Sequence, residues 1–328
     1  MILAIETSCD ETCAAVCTPD GEVLSSVVAS QVTDHAAYGG VVPEIASRRH
    51  LELLGPTVIT AIREAGIDED QLTTVAVTAG PGLIGALLVG VSYAKGYAYA
   101  RGLPLIAVDH LHGHVASLQL ADNPPSGAHL VLLASGGHTL LIDVADDGSL
   151  TTIARSMDDA AGEAFDKGAR LLGLGYPGGP ALGGLAGTAD PRTRPFTTPL
   201  HGRDDLAFSF SGLKTALALN VQRLTEDDQL GRSELAASYQ EAIVTHLVER
   251  AELGLARTGR TTLGVVGGVA ANARLRDRLG ELQADVVLAP LSACGDNAAM
   301  IAMASRSLAP LTPIELASLD AHARSSLG

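Results

Sequence analysis

Short apolar runs alternate along the chain with segments long enough to form helices. The clearest runs, rich in Val, Ile and Leu, are residues 2–5, 75–78, 105–108, 130–133, 140–144 and 263–266. Buried strands read as short continuous apolar runs, whereas helices need longer periodic stretches. The alternation therefore predicts an α/β protein with a largely buried sheet.

An internal repeat refines this prediction. Residues 3–21 match residues 130–148 at a constant offset of 127 positions. Each copy reads as an apolar strand, a short polar or glycine turn, a second strand and an Asp-Gly turn. The identical pairs are Leu3/Leu130, Ser8/Ser135, Thr12/Thr139, Asp20/Asp147 and Gly21/Gly148. Five identities in 19 positions can arise by chance, but the shared layout predicts two lobes of common origin. Each lobe would open with a β-hairpin whose tip faces the cleft between the lobes.

The two hairpin tips carry opposite chemistry. The backbone N–H groups of Ser135, Gly136 and Gly137 can approach an anion closely, because glycine has no side chain. The acidic tip at Asp10 and Glu11 repels phosphate and can instead hold a cation, position a water or contact an amine. Both tips can equally be ordinary tight turns, so the pattern alone leaves these alternatives open.

Composition narrows the class of protein. The 328 residues are 47% hydrophobic and 18% charged, which suits a globular chain of two domains. A net charge of −15 disfavours non-specific binding to nucleic acid. The apolar stretch 75–94 contains Gly80-Pro81-Gly82, which predicts a strand-to-helix turn rather than a membrane span. With no basic leader and too few cysteines for a disulfide framework, we expect a cytoplasmic protein that does not associate with membranes.

A histidine cluster is the clearest candidate metal site. In the segment DHLHGH (109–114), a helix would place His110 and His114 on one face, where two imidazoles can bind one ion. Asp296 is a candidate third ligand, although it precedes a predicted helix and can serve as its N-cap instead. Leu111 stands where a zinc protease carries its glutamate, so proteolysis is not supported.

A glycine-rich segment offers a rival function. GPGLIG (80–85) follows a predicted strand, precedes a predicted helix and is followed by Asp109, which is the arrangement of a dinucleotide fingerprint. Against a dehydrogenase, Asp109 lies 24 residues beyond Gly85, and Pro81 fixes φ inside the loop. The sequence contains no P-loop motif.

Three other polar or glycine positions can serve a nucleotide. Asn272 ends GGVAAN (267–272), Asp166 lies on a predicted acidic helix, and Gly179 ends the turn YPGG (176–179). Asn272 can donate and accept hydrogen bonds, and Asp166 can accept them from ribose hydroxyls. A tight turn and a solvated helix face are the plain alternatives.

Together and in this order, these segments resemble the bacterial tRNA threonylcarbamoyltransferase family (TsaD), formerly described as glycoproteases. The matching stretches, which span nearly the full chain, are IETSCDET (5–12), YGGVVPEIASRRH (38–50), TAGPGLIGALLVG (78–90), HLHGH (110–114), SGGHT (135–139), GEAFDKGA (162–169), GYPGG (175–179), FSFSGLKT (208–215), GGVAAN (267–272) and DNAAM (296–300). The resemblance implies an actin-like, sugar-kinase-type ATPase fold with two ribonuclease-H-like lobes around a nucleotide cleft. We expect residues 1–118 plus 297–328 to form the N-terminal lobe and residues 119–296 to form the C-terminal lobe.

The resemblance also assigns roles to residues. His110, His114 and Asp296 are similar to the ligands of one divalent metal ion, with iron expected and zinc or magnesium as alternatives. The positions similar to contacts with threonylcarbamoyl-AMP, or with an ATP-type nucleotide, are Ala134, Ser135, Gly136, Gly137, His138, Asp166, Gly179 and Asn272. GPGLIG then becomes a packing turn. This chain departs from many relatives at Gly183, where Asp is common, and at His112, whose part in metal binding stays open.

The implied reaction transfers a threonylcarbamoyl group from threonylcarbamoyl-AMP to the exocyclic nitrogen of the adenosine 3′ of the anticodon in tRNA, with AMP as leaving group. Asp10 or Glu11 is the candidate proton acceptor. The family implies a TsaB-like paralogue bound through the N-terminal lobe and a TsaE-like ATPase, and such partners would supply RNA affinity that an acidic chain lacks. A sugar or acetate kinase of the same fold and a non-catalytic scaffold are rival functions, and a scaffold would not need the three metal-ligand candidates.

Overall fold

Strands and helices alternate through most of the chain in the computed structural model, which describes residues 1–225, 227–325 and 327. The strands are β1 (Ile2–Glu6), β2 (Glu11–Cys17), β3 (Val23–Ser30), β4 (Thr74–Gly80), β5 (Leu105–Asp109), β6 (His129–Ala134), β7 (Thr139–Val144), β8 (Leu150–Arg155), β9 (Thr262–Val266) and β10 (Asp285–Leu288). The α-helices are α1 (Val32–Ala36), α2 (Pro43–Glu64), α3 (Ile84–Arg101), α4 (His110–Ala116), α5 (Ala161–Leu171), α6 (Gly178–Ala186), α7 (Ser211–Val221), α8 (Gln229–Thr258), α9 (Ala273–Leu279), α10 (Leu291–Cys294), α11 (Ala298–Ser305) and α12 (Pro313–Ser318). Short 3-10 turns occupy Glu69–Gln71, Ser117–Leu120 and Gly268–Ala271. Every apolar run identified in the sequence lies in a strand, which confirms the α/β prediction.

The chain divides into two compact units. The first comprises Met1–Leu120 and Gly295–Leu327, and the second comprises Ala121–Cys294. Asp296 therefore belongs to the same unit as His110 and His114. The apolar stretch 75–94 is split between β4 and α3. Among the residues described, no helix combines the length and the apolar character that crossing a bilayer requires.

Each unit is built on one mixed sheet. In the first unit the strand order is β3-β2-β1-β4-β5, with antiparallel pairing from β3 to β1 and parallel pairing from β1 to β5. In the second unit the order is β8-β7-β6-β9-β10, with the same pattern of strand directions. Both sheets therefore share one topology, an antiparallel meander followed by two parallel strands.

The 127-residue offset corresponds to a structural repeat. It places β1, β2 and β3 over β6, β7 and β8. Thr12 and Thr139 are both buried near the start of the second strand of their meander. Gly21 and Gly148 both adopt positive φ angles, 98° and 81°, which side-chain-bearing residues rarely tolerate. The predicted pair of β-hairpins is thus confirmed, and backbone geometry explains the glycine at both Asp-Gly turns.

The first unit packs helices on both faces of its sheet. Leu3 and Ile5 lie in one core layer with residues of α2 and α3. Ile2 and Ala4 lie in the other core layer with residues of α11. Because alternate residues of β1 serve both layers, this strand reads as a continuous apolar run instead of alternating.

The GPGLIG segment is a tight turn between β4 and α3. A Cβ atom at Gly82 would lie 2.5 Å from the carbonyl oxygen of Ser8, and that oxygen already accepts a hydrogen bond from the N–H of Leu83 at 2.8 Å. A Cβ at Gly85 would collide with the hydroxyl of Ser47. These glycines are explained by close packing against neighbouring elements, so the dehydrogenase alternative loses its main support.

Candidate functional site

Helix α4 begins where β5 ends, and this junction places two histidines on one helix face. Asp109 is the N-cap of α4, and its Oδ1 accepts hydrogen bonds from the N–H groups of Leu111 (2.9 Å) and His112 (3.4 Å). His110 and His114 are both buried, and their ring centroids lie 4.7 Å apart. The helical arrangement predicted from their spacing is confirmed.

Asp296 completes a three-residue cluster with these histidines. Its Oδ1 lies 3.5 Å from Nε2 of His110 and 3.3 Å from Nε2 of His114. One ligand atom from each of the three residues lies within 4.8 Å of the others. The N-cap role that the sequence left open for Asp296 belongs instead to Asn297, whose side chain accepts a hydrogen bond from the N–H of Met300 at 2.9 Å. Within the described part of the chain, His112 is not a member of this cluster.

Glu6 orients the ring of His110 from its other side. Its Oε2 lies 3.0 Å from Nδ1 of His110 and accepts a hydrogen bond from the hydroxyl of Thr78 at 2.5 Å. Because a carboxylate can only accept, Nδ1 of His110 carries the hydrogen, and Nε2 is the nitrogen turned towards Asp296. Glu6 was not among the residues predicted from the sequence, although a single acid that closes a fully apolar strand is a usable signal.

The electrostatics of the cluster favour a positive charge. Burial alone lowers the pKa of His110, but the nearby Asp296 and Glu6 outweigh it and raise that pKa to about 9. Burial raises the pKa of Glu6, and His110 more than compensates, so the carboxyl titrates below its ordinary value. The contact of His114 with Asp296 lacks hydrogen-bond geometry, and in the described residues neither ring nitrogen of His114 has a hydrogen-bond partner. A buried imidazole is seldom left in this state, so two nitrogens and a carboxylate fit a divalent metal ion.

The turn between β1 and β2 is held by a buried polar network. His50 of α2 donates a hydrogen bond from Nε2 to the carbonyl of Cys9 at 3.0 Å, and its Nδ1 lies 2.8 Å from the hydroxyl of Thr12. The backbone N–H of Gln31 donates to the carbonyl of Asp10 at 3.1 Å. The backbone of the acidic tip is therefore anchored by His50 of α2 and by Gln31, the residue that follows β3.

Glu11 has the features of a proton acceptor. Its Oε1 accepts a hydrogen bond from the hydroxyl of Ser30 at 2.8 Å, whereas Oε2 is buried with no hydrogen-bond partner in the described chain. Burial raises the pKa of Glu11 to about 7, with a further contribution from the charge of Asp10. A carboxyl group that titrates near neutral pH is suited to general acid–base work.

A large cavity lies in the second unit. Its volume is about 1020 Å³, and its walls come from the β6–β7 turn and from α5, α6, α8 and α9. Of the predicted nucleotide contacts, Gly136, Asp166, Gly179 and Asn272 line this cavity. The structure therefore brings together residues that are up to 136 positions apart in the sequence.

The remaining predicted contacts support the turn instead of lining the cavity, as far as the described residues extend. Ala134 is fully buried at the end of β6. The N–H of Ser135 donates to the carbonyl of His138 at 2.8 Å, which closes the turn, and a Cβ on Gly137 would meet nothing within 4 Å. Gly136 is thus the member of this segment that reaches the cavity.

Asn272 and Gln240 form a polar pair in the cavity wall. Oδ1 of Asn272 accepts a hydrogen bond from the N–H of Leu275 at 3.0 Å, and its Nδ2 donates to Oε1 of Gln240 at 2.8 Å. A Cβ at Gly183 would lie 3.5 Å from the same Gln240 oxygen. Gln240 was not predicted from the sequence, because it lies within the long helix α8 and belongs to no motif.

Comparison with known proteins identifies the family of this chain. The family model TsaD, described as tRNA N6-adenosine threonylcarbamoyltransferase, matches residues 22–303. Proteins with that name from Desulforapulum autotrophicum and Anaeromyxobacter dehalogenans (strain 2CP-1) are 48% and 49% identical to this chain over 306 and 308 residues, 92% of this chain and 92% of each relative.

Solved structures resemble the chain in fold. The crystal structure of T. kodakarensis HypF has a TM-score of 0.62 at 13% identity, over 93% of this chain and 47% of that one. Component A of the Acidaminococcus fermentans (R)-2-hydroxyglutaryl-CoA dehydratase has a TM-score of 0.56 at 13% identity, over 92% of this chain and 96% of that one. These likenesses support the actin-like, sugar-kinase-type fold. The chain belongs to the TsaD family, the tRNA N6-adenosine threonylcarbamoyltransferases, and is therefore a transferase that acts on tRNA.

Proposed function

We propose that this chain transfers the threonylcarbamoyl group from threonylcarbamoyl-AMP to N6 of the adenosine 3′ of the anticodon. The bond between the carbamoyl carbon and the phosphate oxygen breaks, and AMP leaves with that electron pair. A new carbon–nitrogen bond forms to N6, which gives up one proton. The observation that carries the proposal is the convergence of His110, His114 and Asp296 in a chain of this family.

These three residues would hold one divalent metal ion, with iron expected and zinc or magnesium as alternatives. When bound, the ion supplies a Lewis acid that polarises the carbamoyl oxygen or neutralises charge on the phosphate. Glu6 keeps the ring of His110 oriented through Nδ1, at 3.0 Å. Carboxylates in this outer position usually strengthen metal binding, so Glu6 is part of the proposed centre.

The cavity of the second unit is the proposed site for the adenylate. Its volume of about 1020 Å³ is ample for a nucleotide, since ligand pockets typically measure about 300–1,000 Å³. Asp166 can accept hydrogen bonds from a ribose, and the backbone at Gly136 lets an anionic group approach closely. Gln240 lies beside Gly183, the position where the resemblance leads us to expect Asp, so the Gln240 amide is the proposed substitute for that side chain.

Glu11 is the proposed acceptor of the N6 proton, and Asp10 beside it reinforces its basicity. The pKa of Glu11, raised by burial to about 7, allows the carboxylate to take up a proton at neutral pH. An exocyclic adenine nitrogen is a weak nucleophile, so orientation of the two substrates must contribute much of the rate.

Partner subunits are proposed to contribute tRNA affinity. Most arginines that the sequence offers for phosphate contacts are paired with carboxylates, namely Arg49 with Asp34 and Glu52, Arg192 with Asp190, Arg194 with Glu234, Arg203 with Asp205, and Arg274 and Arg278 with Glu241. Pairing reduces the charge that these side chains offer to RNA phosphates. A TsaE-like ATPase is one proposed partner, and a tRNA substrate implies a cytoplasmic location.

An apolar groove between α2 and α3 is the proposed surface for a TsaB-like paralogue. The groove has a volume of about 490 Å³ and is lined by Leu51, Leu54, Leu88, Val89, Ser92 and Tyr93. Leu51 is 71% exposed and Leu88 is 40% exposed. Contiguous exposed apolar surface often marks a protein interface, which supports a partner on this first unit, the proposed N-terminal lobe.

Reconstitution tests the proposed reaction. The purified chain would be incubated with threonylcarbamoyl-AMP and unmodified tRNA, with and without partners, and the nucleosides analysed by mass spectrometry. We expect His110→Ala combined with His114→Ala to reduce transfer by about 10³-fold or more, because a Lewis acid stabilises developing charge by several kcal/mol. His201→Ala, at an exposed position of the second unit, is the control.

Two outcomes would overturn the proposal. Transfer at the wild-type rate by the double histidine variant would remove the metal-assisted mechanism. Consumption of ATP with a small acceptor and without tRNA would instead identify a kinase of the same fold.

A further inference from the structure

The C-terminal segment of the first unit reaches the N-terminus of helix α4. The N–H of Leu311 donates to the carbonyl of Leu105 at 2.8 Å, at the start of β5. Nζ of Lys95 donates to the carbonyl of Leu319 at 3.2 Å, and the N–H of His322 donates to the carbonyl of Ala79 at 2.9 Å, near the end of β4. Residues 319–325 and 327, which we call the C-terminal strap, therefore lie at the strand ends from which the metal-binding helix starts.

The strap bonds directly to the residue that caps this helix. The hydroxyl of Ser325 donates a hydrogen bond to Oδ2 of Asp109 at 2.6 Å. The other carboxylate oxygen of Asp109 accepts from the N–H groups of Leu111 and His112. One oxygen thus serves the strap and the other serves α4. Leu327 anchors the contact, because its side chain is buried and its N–H donates to the Ser325 hydroxyl at 3.0 Å.

Gly80 makes room for the strap. A Cβ atom there would fall on the carbonyl oxygen and the ring of His322. The first glycine of GPGLIG is thereby explained by contact with the strap, just as Gly82 is explained by contact with Ser8. Neither the proposed metal nor the proposed nucleotide needs Gly80.

The length of α4 makes its cap important. This helix has only 7 residues, and helices of about two turns have little stability of their own. The hydrogen bonds that Asp109 accepts therefore add to the packing of α4 in holding its first turn. That first turn carries His110, whose position sets the distance to Asp296.

We propose that the C-terminal strap positions the metal centre, and that Ser325 is a positioning residue. Ser325 fixes the carboxylate of Asp109, and Asp109 fixes the first turn of α4. The inference rests on the proposed metal site for its consequence, but the link from Ser325 to α4 can be measured without any metal.

Ser325→Val and Ser325→Thr are the decisive pair, because they have similar volumes and differ in the hydroxyl. Ser318→Val is the matched control, since the Ser318 hydroxyl bonds within α12 to the carbonyl of Ile314. The first measurement is amide hydrogen exchange at Leu111 and His112 in the metal-free full-length chain. We expect about three- to tenfold faster exchange in Ser325→Val, which loses a hydrogen bond to a charged group, and wild-type exchange in Ser325→Thr.

The second measurement is titration of the same proteins with Co²⁺, followed by visible absorbance. We expect Ser325→Val to bind Co²⁺ about three- to tenfold more weakly and Ser325→Thr to bind it as the wild type does, since outer contacts tune metal affinity. Should Ser325→Val fail to fold, Ser325→Ala removes the hydroxyl without adding volume and takes its place.

The outcomes distinguish the positioning role of Ser325 from the proposed metal site. If Ser325→Val matches Ser318→Val in both exchange and Co²⁺ affinity, the strap has no positioning role. If His110→Ala leaves Co²⁺ affinity unchanged, the proposed metal site is wrong, while the exchange experiment still decides whether Ser325 holds α4.

Discussion

The two units share a strand order, but their first turns carry different chemistry. The β1–β2 turn presents the carboxyl groups of Asp10 and Glu11, and its backbone is held by His50 and Gln31. The β6–β7 turn instead presents glycine, and a Cβ on Gly136 would meet nothing within 4 Å. The same strand order therefore carries side-chain carboxylates at the first turn of one unit and accessible backbone N–H groups at the first turn of the other.

The same contrast continues at the ends of the parallel strands. In the first unit, β5 leads into a helix that carries His110 and His114. In the second unit, β9 leads into Gly267, where a Cβ would fall on the carbonyl of Ala134, and then to Asn272. The shared topology accommodates one proposed site in each unit. The residues at these turns would then determine whether the site suits a cation or a nucleotide.

Glu6→Gln is expected to give the largest difference between the effects on metal affinity and on AMP affinity. The amide oxygen of Gln is uncharged, so it accepts the hydrogen bond from Nδ1 of His110 more weakly than the carboxylate does. Metal affinity should therefore fall by about 10- to 100-fold. AMP affinity of the second unit should stay unchanged. Titrations with Co²⁺ and with AMP check both values, and Glu22→Gln in an exposed turn is the control. Equal losses in both titrations would mean that the two sites are not independent.

Gly162→Ala is expected to have the opposite effect, because it should weaken AMP binding and leave metal binding unchanged. Its Cβ would lie 2.6 Å from the carbonyl oxygen of Ser135 and 2.8 Å from Cα of Gly136, so the β6–β7 turn must shift. We expect AMP affinity to fall by roughly tenfold or more, since overpacking typically costs about 1–3 kcal/mol, and Co²⁺ affinity to be retained. Gly184→Ala adds the same methyl group where nothing lies within 4 Å and is the matched control. Unaltered AMP binding in Gly162→Ala would place the adenylate elsewhere.

The smallest expected effect concerns the pH dependence of the acidic turn. If Glu11 accepts the proton with a pKa of about 7, kcat/KM at pH 6 should be about a tenth of its plateau above pH 8. Glu11→Gln should lower the plateau and remove this dependence. Rate profiles from pH 5.5 to 9 provide the measurement, and a Glu11→Gln profile that keeps the inflection would assign it to another group.

Stability gives an independent check on the same residue. The folded-state pKa of Glu11 is raised above its ordinary value of 4.5, so the folded protein binds the proton more tightly than the unfolded chain does. Its contribution to stability is complete below pH 4.5 and is lost as the pH rises through about 7. Glu11→Gln should therefore unfold at a higher temperature than the wild type at pH 8, in a comparison that thermal melts at pH 4 and pH 8 can make.

The strands at the centre of both sheets were predictable, whereas three at the edges were not. β1 and β6 are buried along their whole length, so they read as unbroken apolar runs. β3 and β8 are partly exposed, and β10 has only 4 residues. Edge strands of this kind give weak periodicity, because only part of each is buried.

The site was predictable where one short segment held the chemistry. His110 and His114 lie one helical turn apart, so their spacing alone indicated a shared face. Glu6 and Gln240 were missed, because their roles depend on which strand or helix they face after folding. Ser325 carries no motif at all, and its contact with Asp109 arises from residues 216 positions apart in sequence.

The close contact at Gly82 has a consequence for interpreting genetic variation in this protein. A methyl group there would press on the main chain of Ser8, whose hydroxyl lies 3.2 Å from Nδ1 of His110. A substitution that touches neither substrate would therefore reduce activity as severely as one at a proposed metal ligand. In a deep mutational scan, intolerance at Gly82 would reflect the close approach of its backbone to that of Ser8. It should not be taken as a sign that Gly82 contacts a substrate.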